Sequence, residues 1–391
     1  MEFTINRDIL LKSLSHAYGV IEKKTALPIL SNILIEAKDS KIKITATDLD
    51  IIYSEEISIE KIEKEGATTT SANILYDILR KLESNAPVNI ILENQNKLKL
   101  TSNNSKFNLL CISPDNFPLS EEDISQKTFE VSSLQILKLL NKTKISISND
   151  ETRHYLNGIY LHKTKIENKT FLSGVATDSH RLSSSSLEID ENTDFDSIIL
   201  PKKTIYQLIS LLEQDTKVVK ISNNKSKIKF EMNNGVLISK VIDGRFPDYS
   251  KVVPSSNEIT LQLKLSEFKN SIERVTTVSS DRKEGLKMII SKDSLQLTVN
   301  SPNSGEGIET LSAKFNAPDM TISFNSRYLI DLASQIENEL ILINLKDSGS
   351  PVLIKDLSDK NSFHVVMPMK IWVILKKQIL DNNYYFHQVS K

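Results

Sequence analysis

Apolar residues recur along this chain in two rhythms, and the rhythms alternate in the same order three times. Phe3–Ile5, Phe129–Val131 and Leu263–Leu265 each place a polar residue between two apolar ones, the period of a half-buried strand. Each is followed by a Ser, Asn or Asp suited to a helix start and then by apolar residues at helical spacing, in RDILLKSLSHA, SSLQILKLLNK and SEFKNSIERV. The spacing puts Ile9, Leu10 and Leu14 on one side of the first predicted helix, and Leu134, Leu137 and Leu140 on one side of the second. Further on, KITATDLD around Asp48 returns as SGVATDSH around Asp178, 130 residues later. The predicted helix NILYDILRKL around Tyr76 returns as KTIYQLISLL around Tyr206, again 130 later, and SRYLIDLASQI places Tyr328 another 122 on. Alternating pairs of strands follow each of these helices, and the first two copies close on Asn116-Phe117-Pro118 and Arg245-Phe246-Pro247.

The repeating unit is about 125 residues long, with two helices and many strands. Helices separated by meandering strands, without strict strand–helix–strand alternation, indicate an α+β fold with largely antiparallel sheet. Domains are expected at 1–126, 127–256 and 257–370, followed by an extension at 371–391. Repeats of this size do not stack as a solenoid, so a closed ring is their natural arrangement.

Composition narrows the function. With 391 residues, 39% hydrophobic and 25% charged, the chain suits a soluble protein of several domains. No stretch reaches the roughly 18 to 20 apolar residues that span a bilayer, and the N-terminus does not read as a secretory signal; a cytoplasmic location is expected. The single cysteine, Cys111, excludes an internal disulfide framework and a cysteine metal cluster. Ten glycines form no phosphate-binding loop, and neither a nucleotide, another cofactor nor a metal is expected. The net charge of −1 argues against a uniformly basic nucleic-acid binder, yet leaves room for basic and acidic groups gathered on separate faces.

Six segments, in order, resemble the bacterial DNA sliding clamp family, the beta subunit of DNA polymerase III: MEFTI, LPILSNILIEA (27–37), RHYLNGIYL (153–161), VATDSHRL (175–182), VIDGRFPDYSKVVP (241–254) and HVVMPMK (364–370). The resemblance spans residues 1–370. It implies three tandem domains of the DNA clamp fold, closing as a head-to-tail homodimer into a six-domain ring around duplex DNA. It also implies a non-catalytic processivity factor that tethers the DNA polymerase III alpha subunit, the clamp loader, other polymerases and mismatch repair proteins through short linear motifs.

Three sets of residues follow from that resemblance. A sliding ring needs cations that attract phosphates without reading bases; candidates on the predicted helices are Lys12, Arg80, Lys138, Lys142, Lys202, Lys203 and Arg274, with Lys23 and Lys24 on a loop. A hydrophobic cleft for partner peptides is implied at Leu156, Thr177, His180, Arg181, Leu182, Pro247, Val252, Val365 and Met367, continuing over Arg153, Tyr155, Asn325, Tyr328, Pro368 and Met369. Ser179 replaces a common glycine there, and Lys251 a common arginine. Ring closure is implied through Phe107 and Leu109 on one side and Thr277 and Val278 on the other.

Two rival readings carry less. Asp178 and His180 share one face of a strand, as a catalytic pair could, but no nucleophile elbow or metal-ligand helix accompanies them. The first repeat keeps the aspartate, Asp48, and lacks the histidine, which indicates a turn-forming carboxylate. A sequence-specific DNA reader would need a zinc finger, a helix-turn-helix or a basic helix, and none is present. The extension from Ile371, with the only tryptophan, is an addition to the family pattern. Trp372, Ile374 and Leu375 could cover nearby apolar surface or compete with partner peptides.

Overall fold

The computed structural model describes residues 1–22, 26–94, 96–119, 124, 128–212, 217–233, 235–279 and 285–369. Lys23, Lys24 and the extension lie outside the described residues.

Each repeat contributes two helices: α1 (Arg7–Tyr18) and α2 (Ala72–Lys81), α3 (Ser133–Lys144) and α4 (Lys202–Leu212), α5 (Leu265–Val275) and α6 (Ser326–Ala333). Within each repeat the two pack against one another. Asparagine caps open two of them. The Asn6 side chain accepts from the backbone N–H of Asp8 at 2.8 Å, and that of Asn325 from Arg327 at 3.0 Å. The buried stripe differs from the sequence expectation in both leading helices. In α1 it runs through Leu10, Ser13, Leu14 and Ala17, and in α3 through Ile136, Leu139, Leu140 and Thr143. Ile9 and Leu134 lie outside it and are 50% and 75% exposed. Each lies one or two residues off the 3–4 spacing that generates the stripe.

The chain divides into two compact units, Met1–Ala176 with Ser185–Phe246, and Thr177–Ser184 with Pro247–Lys391. The first unit holds a thirteen-stranded sheet drawn from the first two repeats. Nine of its strands belong to the first repeat and four to the second, and they join where Ile51–Ser58 pairs antiparallel with Gly235–Lys240. Helices also bridge the two repeats. Gln207 on α4 donates to the carbonyl of His16 on α1 at 2.6 Å. Gly19, just past α1, makes room for it, since a Cβ there would meet the Gln207 amide at 1.9 Å. The second unit has a four-stranded sheet in the order 305–312, 294–301, 285–291, 320–325. It also holds the antiparallel strands 359–366, 352–356, 340–345 and 259–264. Alternating burial along strands such as Lys97–Ser102 and Leu340–Leu345 leaves one face of each turned to the core.

The recurring Thr-Asp turn is the same device in both copies. Asp48 accepts from the N–H groups of Asp50 and Ile51, and Asp178 from those of His180 and Arg181. The hydroxyls of Thr47 and Thr177 donate to the carbonyls of Ile51 and Arg181. Both turns carry a non-glycine residue in the left-handed region, Leu49 at φ 79° and Ser179 at φ 77°. The aspartate is therefore a turn anchor, as its repetition suggested.

Candidate functional site

The second turn forms one wall of an apolar cleft of about 220 Å³ in the second unit. Thr177, Ser179, His180, Arg181 and Leu182 come from the turn and the strand leaving it, Pro247, Asp248, Tyr249 and Val252 from a following segment, and Val365 and Met367 from the end of strand Asp359–Val366. Leu182 and Val365 are buried at its floor, whereas Val252 and Met367 remain 43% and 39% exposed. Aliphatic walls with a flexible thioether at the rim suit apolar side chains of varied shape. The Met367 N–H donates to the His180 carbonyl at 2.8 Å, and the Met369 N–H to that of Ser323 at 2.7 Å, which fixes the chain end that carries the rim.

Arg181 is held from three sides. Its Nε donates to Asp178 at 3.0 Å, its Nη1 to Asp331 at 2.7 Å, and its guanidinium lies 4.3 Å from the centre of the Tyr328 ring. Burial, reinforced by the Asp178 carboxylate, pushes the Tyr328 phenol above its ordinary pKa, so it stays a neutral donor. The His180 ring stacks on the same tyrosine at 6.4 Å.

Of the residues expected to form the cleft, Thr177, His180, Arg181, Leu182, Pro247, Val252, Val365 and Met367 are brought together. Tyr328 joins them through Arg181, Asn325 caps the helix that carries Tyr328, and Pro368 and Met369 follow Met367 directly. Arg153, Tyr155 and Leu156 belong to the other unit, on the helical turn Glu151–Leu156, where Arg153 pairs with Asp150 at 2.8 Å and Leu156 is buried. Asp248 and Tyr249 line the cleft and were not singled out from sequence, although the segment VIDGRFPDYSKVVP contains them. Lys251 pairs with Asp248 at 3.5 Å on the exposed surface.

The basic candidates divide. Lys12 and Arg80 are exposed on α1 and α2, and Lys138 and Lys202 are half-buried. Lys142 corrects the expectation. Only 2% exposed, it lies three residues beyond Leu139 on the buried side of α3. Lys203 is a second correction, because its ammonium donates to the Val20 carbonyl at 2.9 Å and pairs with Glu22 and Asp48. It ties α4 to the first repeat. Arg274 is exposed but held by Glu309, with Nε at 3.0 Å from Oε2. Exposed Lys81 and Arg327, on α2 and α6, are cations that helical spacing could have indicated.

On the strand Ser105–Ile112, period-two alternation settles which side chains face outward. Leu109 is 7% exposed and packs against the core, Phe107 on the same face is half-buried, and Leu110 on the other face is 86% exposed. This strand pairs along its length with Lys97–Ser102, but with Thr69 and Thr70 only through Ile112 and Cys111. Its other edge over Ser105–Leu109 has no strand partner among the described residues. In the second unit, Gly305–Ser312 ends its sheet and exposes Ile308 at 56%. Thr277 is exposed and Val278 half-buried on the turn after α5.

A threefold-repeated α+β chain with an apolar cleft anchored by a structural Asp–Arg pair is built for docking. Among the described residues no group of three or more His, Cys, Asp or Glu is placed to hold a metal, and no helix is long and apolar enough to cross a membrane. Family profiles for the N-terminal, central and C-terminal domains of the DNA polymerase III beta subunit match residues 1–121, 130–248 and 250–370. The chain is 34% identical to the beta sliding clamp of Caulobacter vibrioides over 373 residues, 95% of this chain and all of that one. It is 30% identical to the beta sliding clamp of Escherichia coli over 371 residues, again 95% of this chain and all of that one. The solved sliding clamp of Bartonella birtlesii, bound to griselimycin, superposes with a TM-score of 0.91 at 35% identity, covering 95% of this chain and all of that one. A Caulobacter crescentus sliding clamp with bound polyethylene glycol gives 0.92 at 34%, covering 95% and 99%. The chain belongs to the DNA polymerase III beta subunit family, the beta sliding clamps. It is a non-catalytic processivity factor of DNA replication.

Proposed function

We propose that two copies of this chain close head to tail into a ring that slides on duplex DNA in the cytoplasm, and that the apolar cleft of the second unit seats short linear motifs of its partners. The DNA polymerase III alpha subunit, the clamp loader, other polymerases and mismatch repair proteins are the partners this reading assigns. The cleft carries it: Leu182, Val252, Val365 and Met367 offer an apolar seat for extended peptide anchors. Asn325, Tyr328, Pro368 and Met369 extend the seat within this unit, and the resemblance alone assigns Arg153, Tyr155 and Leu156 to the same partners. Lys12, Arg80, Lys138 and Lys202 face DNA phosphates in this reading, which also includes Lys23 and Lys24, outside the described residues. Such contacts are independent of sequence and permit sliding. Ring closure uses the strand edge that carries Phe107, Leu109 and the exposed Leu110 on one side, and Thr277 and Val278 on the other. Domain boundaries near 126 and 256 separate the three repeats.

The deciding experiment compares retention on nicked circular DNA with retention on the same DNA linearised, after loading by a compatible clamp loader at moderate salt. Retention on circles with loss from linear ends is expected, because the hold is topological. Equal, salt-governed loss from both would overturn the reading.

A further inference from the structure

A groove in the first unit reproduces the frame of the docking cleft 130 residues earlier in the chain. It opens beside the turn of Thr47 and Asp48, the counterpart of the turn of Thr177 and Asp178. Pro118 closes it after buried Phe117, as Pro247 follows buried Phe246 in the cleft. One backbone hydrogen bond recurs with the same length: the Lys240 N–H donates to the Asp50 carbonyl at 2.8 Å, as the Met367 N–H does to that of His180. The groove encloses about 420 Å³, against about 220 Å³ for the cleft.

The floor chemistry is kept and the rim chemistry is changed. Leu49, Ile52, Leu119 and Ile238 keep the walls aliphatic, and Leu49 and Leu119 are 44% and 54% exposed. Leu49 holds its side chain there from the left-handed region at φ 79°, where a leucine is strained. The turn sets that backbone conformation in both copies, and in this one it presents an exposed leucine to the groove, apolar surface that a ligand could cover. At the rim, Lys240 stands where the cleft has Met367, and Lys227 stands beside it. Lys240 pairs with Asp50 at 3.1 Å, but both side chains are more than half exposed, so the ammonium can exchange to an incoming carboxylate.

We propose that this groove is a second docking site, for an extended peptide of a partner protein that carries apolar anchors beside acidic residues. The proposal rests on the reading of the cleft as a peptide seat. The extension of this chain is a poor occupant, because Lys376 and Lys377 follow its apolar run and would meet the rim lysines. A nucleic-acid strand fits less well, since the aliphatic walls offer no aromatic face on which a base could stack.

The test uses the full chain and an acetylated octapeptide with two leucines, flanking aspartates and a benzophenone side chain, with cross-links located by peptide mass spectrometry. Labelling is expected at residues 47–52, 118–119 or 238–240 as well as in the cleft. Replacing the aspartates by asparagine, or making Lys227→Gln with Lys240→Gln, should lower labelling of the groove by about fivefold and leave the cleft unchanged, which also shows that the variant is folded. Labelling confined to the cleft overturns the second site and leaves the docking reading intact. Labelling at neither place overturns both. Groove labelling that ignores these charge changes overturns the proposed acidic ligand.

Discussion

The Arg181 guanidinium lies 4.3 Å from the centre of the Tyr328 ring while bonding Asp178 and Asp331 on its other sides. The arginine thus joins the turn that lines the docking cleft to helix α6. Its side chain is only 10% exposed, so removing it leaves a nearly buried Asp178 carboxylate with backbone donors but no charged partner. Arg181→Ala should cost about 2 kcal/mol of stability. Arg181→Lys should recover part of that, because one ammonium cannot reproduce the planar fork between two carboxylates and a ring. Urea denaturation of both variants checks the order.

Ser179 occupies the left-handed region at φ 77° without glycine's freedom. Ser179→Gly should relieve strain, and the larger entropy of the unfolded chain offsets part of the gain. A net stabilisation of about 0.5 kcal/mol is expected, read as a higher urea midpoint at unchanged slope. Peptide affinity should stay within about twofold, since Ser179 contributes no large apolar surface to the cleft. A fall in stability would mean that the Ser179 side chain stabilises the turn by more than its strain costs.

Much of this was legible in the sequence, and the gaps have physical causes. The three repeats, the paired helices and the Asp48 and Asp178 turns were readable because strand and helix periods and turn chemistry are local. The helix face was misplaced at Ile9 and Leu134 because an apolar residue beside the stripe looks like a member of it until packing decides. Charge and helical spacing make Lys142 and Lys203 look DNA-facing, because neither reveals burial or an ion pair with residues far away in sequence. Asp48 binds Lys203 across 155 positions, a pairing no local pattern encodes. The alternation of Phe107, Leu109 and Cys111 against Lys106, Asn108 and Leu110 is local and legible, whereas which of these side chains meets a second copy is not encoded in it.

A buried polar cluster under α1 predicts acid sensitivity. His16 Nδ1 lies 2.9 Å from Glu55 Oε2, and the Tyr53 hydroxyl donates to the same oxygen at 3.0 Å. Burial tends to raise the Glu55 pKa, but the hydrogen bond and charge of His16, with the hydroxyl of Tyr53, outweigh it and leave the carboxyl below its ordinary value of 4.5. A depressed carboxyl stabilises the fold above the unfolded-state pKa, and that contribution fades as pH falls through the folded-state value. Glu55→Gln should therefore be less stable than the parent by about 1 kcal/mol at neutral pH, with the gap closing on acidification below the ordinary carboxylate range. Urea titrations at several pH values test this, and a gap that widens in acid would contradict it.

Neighbouring leucines on the strand Ser105–Ile112 should separate assembly from folding. Leu110 is 86% exposed at a sheet edge, whereas Leu109 is 7% exposed within the core. If this edge closes the ring, Leu110→Asp places a charge in the apolar contact and should shift the protein from dimer to monomer in sedimentation, with the melting of each unit almost unchanged. Leu109→Ala removes buried methyl groups and should cost about 2–4 kcal/mol of stability, with dimerisation of the folded fraction weakened only indirectly. The outcomes exchange if the assignment is wrong: a dimeric Leu110→Asp protein would exclude this edge from ring closure. A folded monomer from Leu109→Ala would instead place the closing contact on the residue that family resemblance suggested. Because Leu109 and Leu110 are adjacent in sequence and opposite in facing, only the direction of the side chain differs between the two experiments.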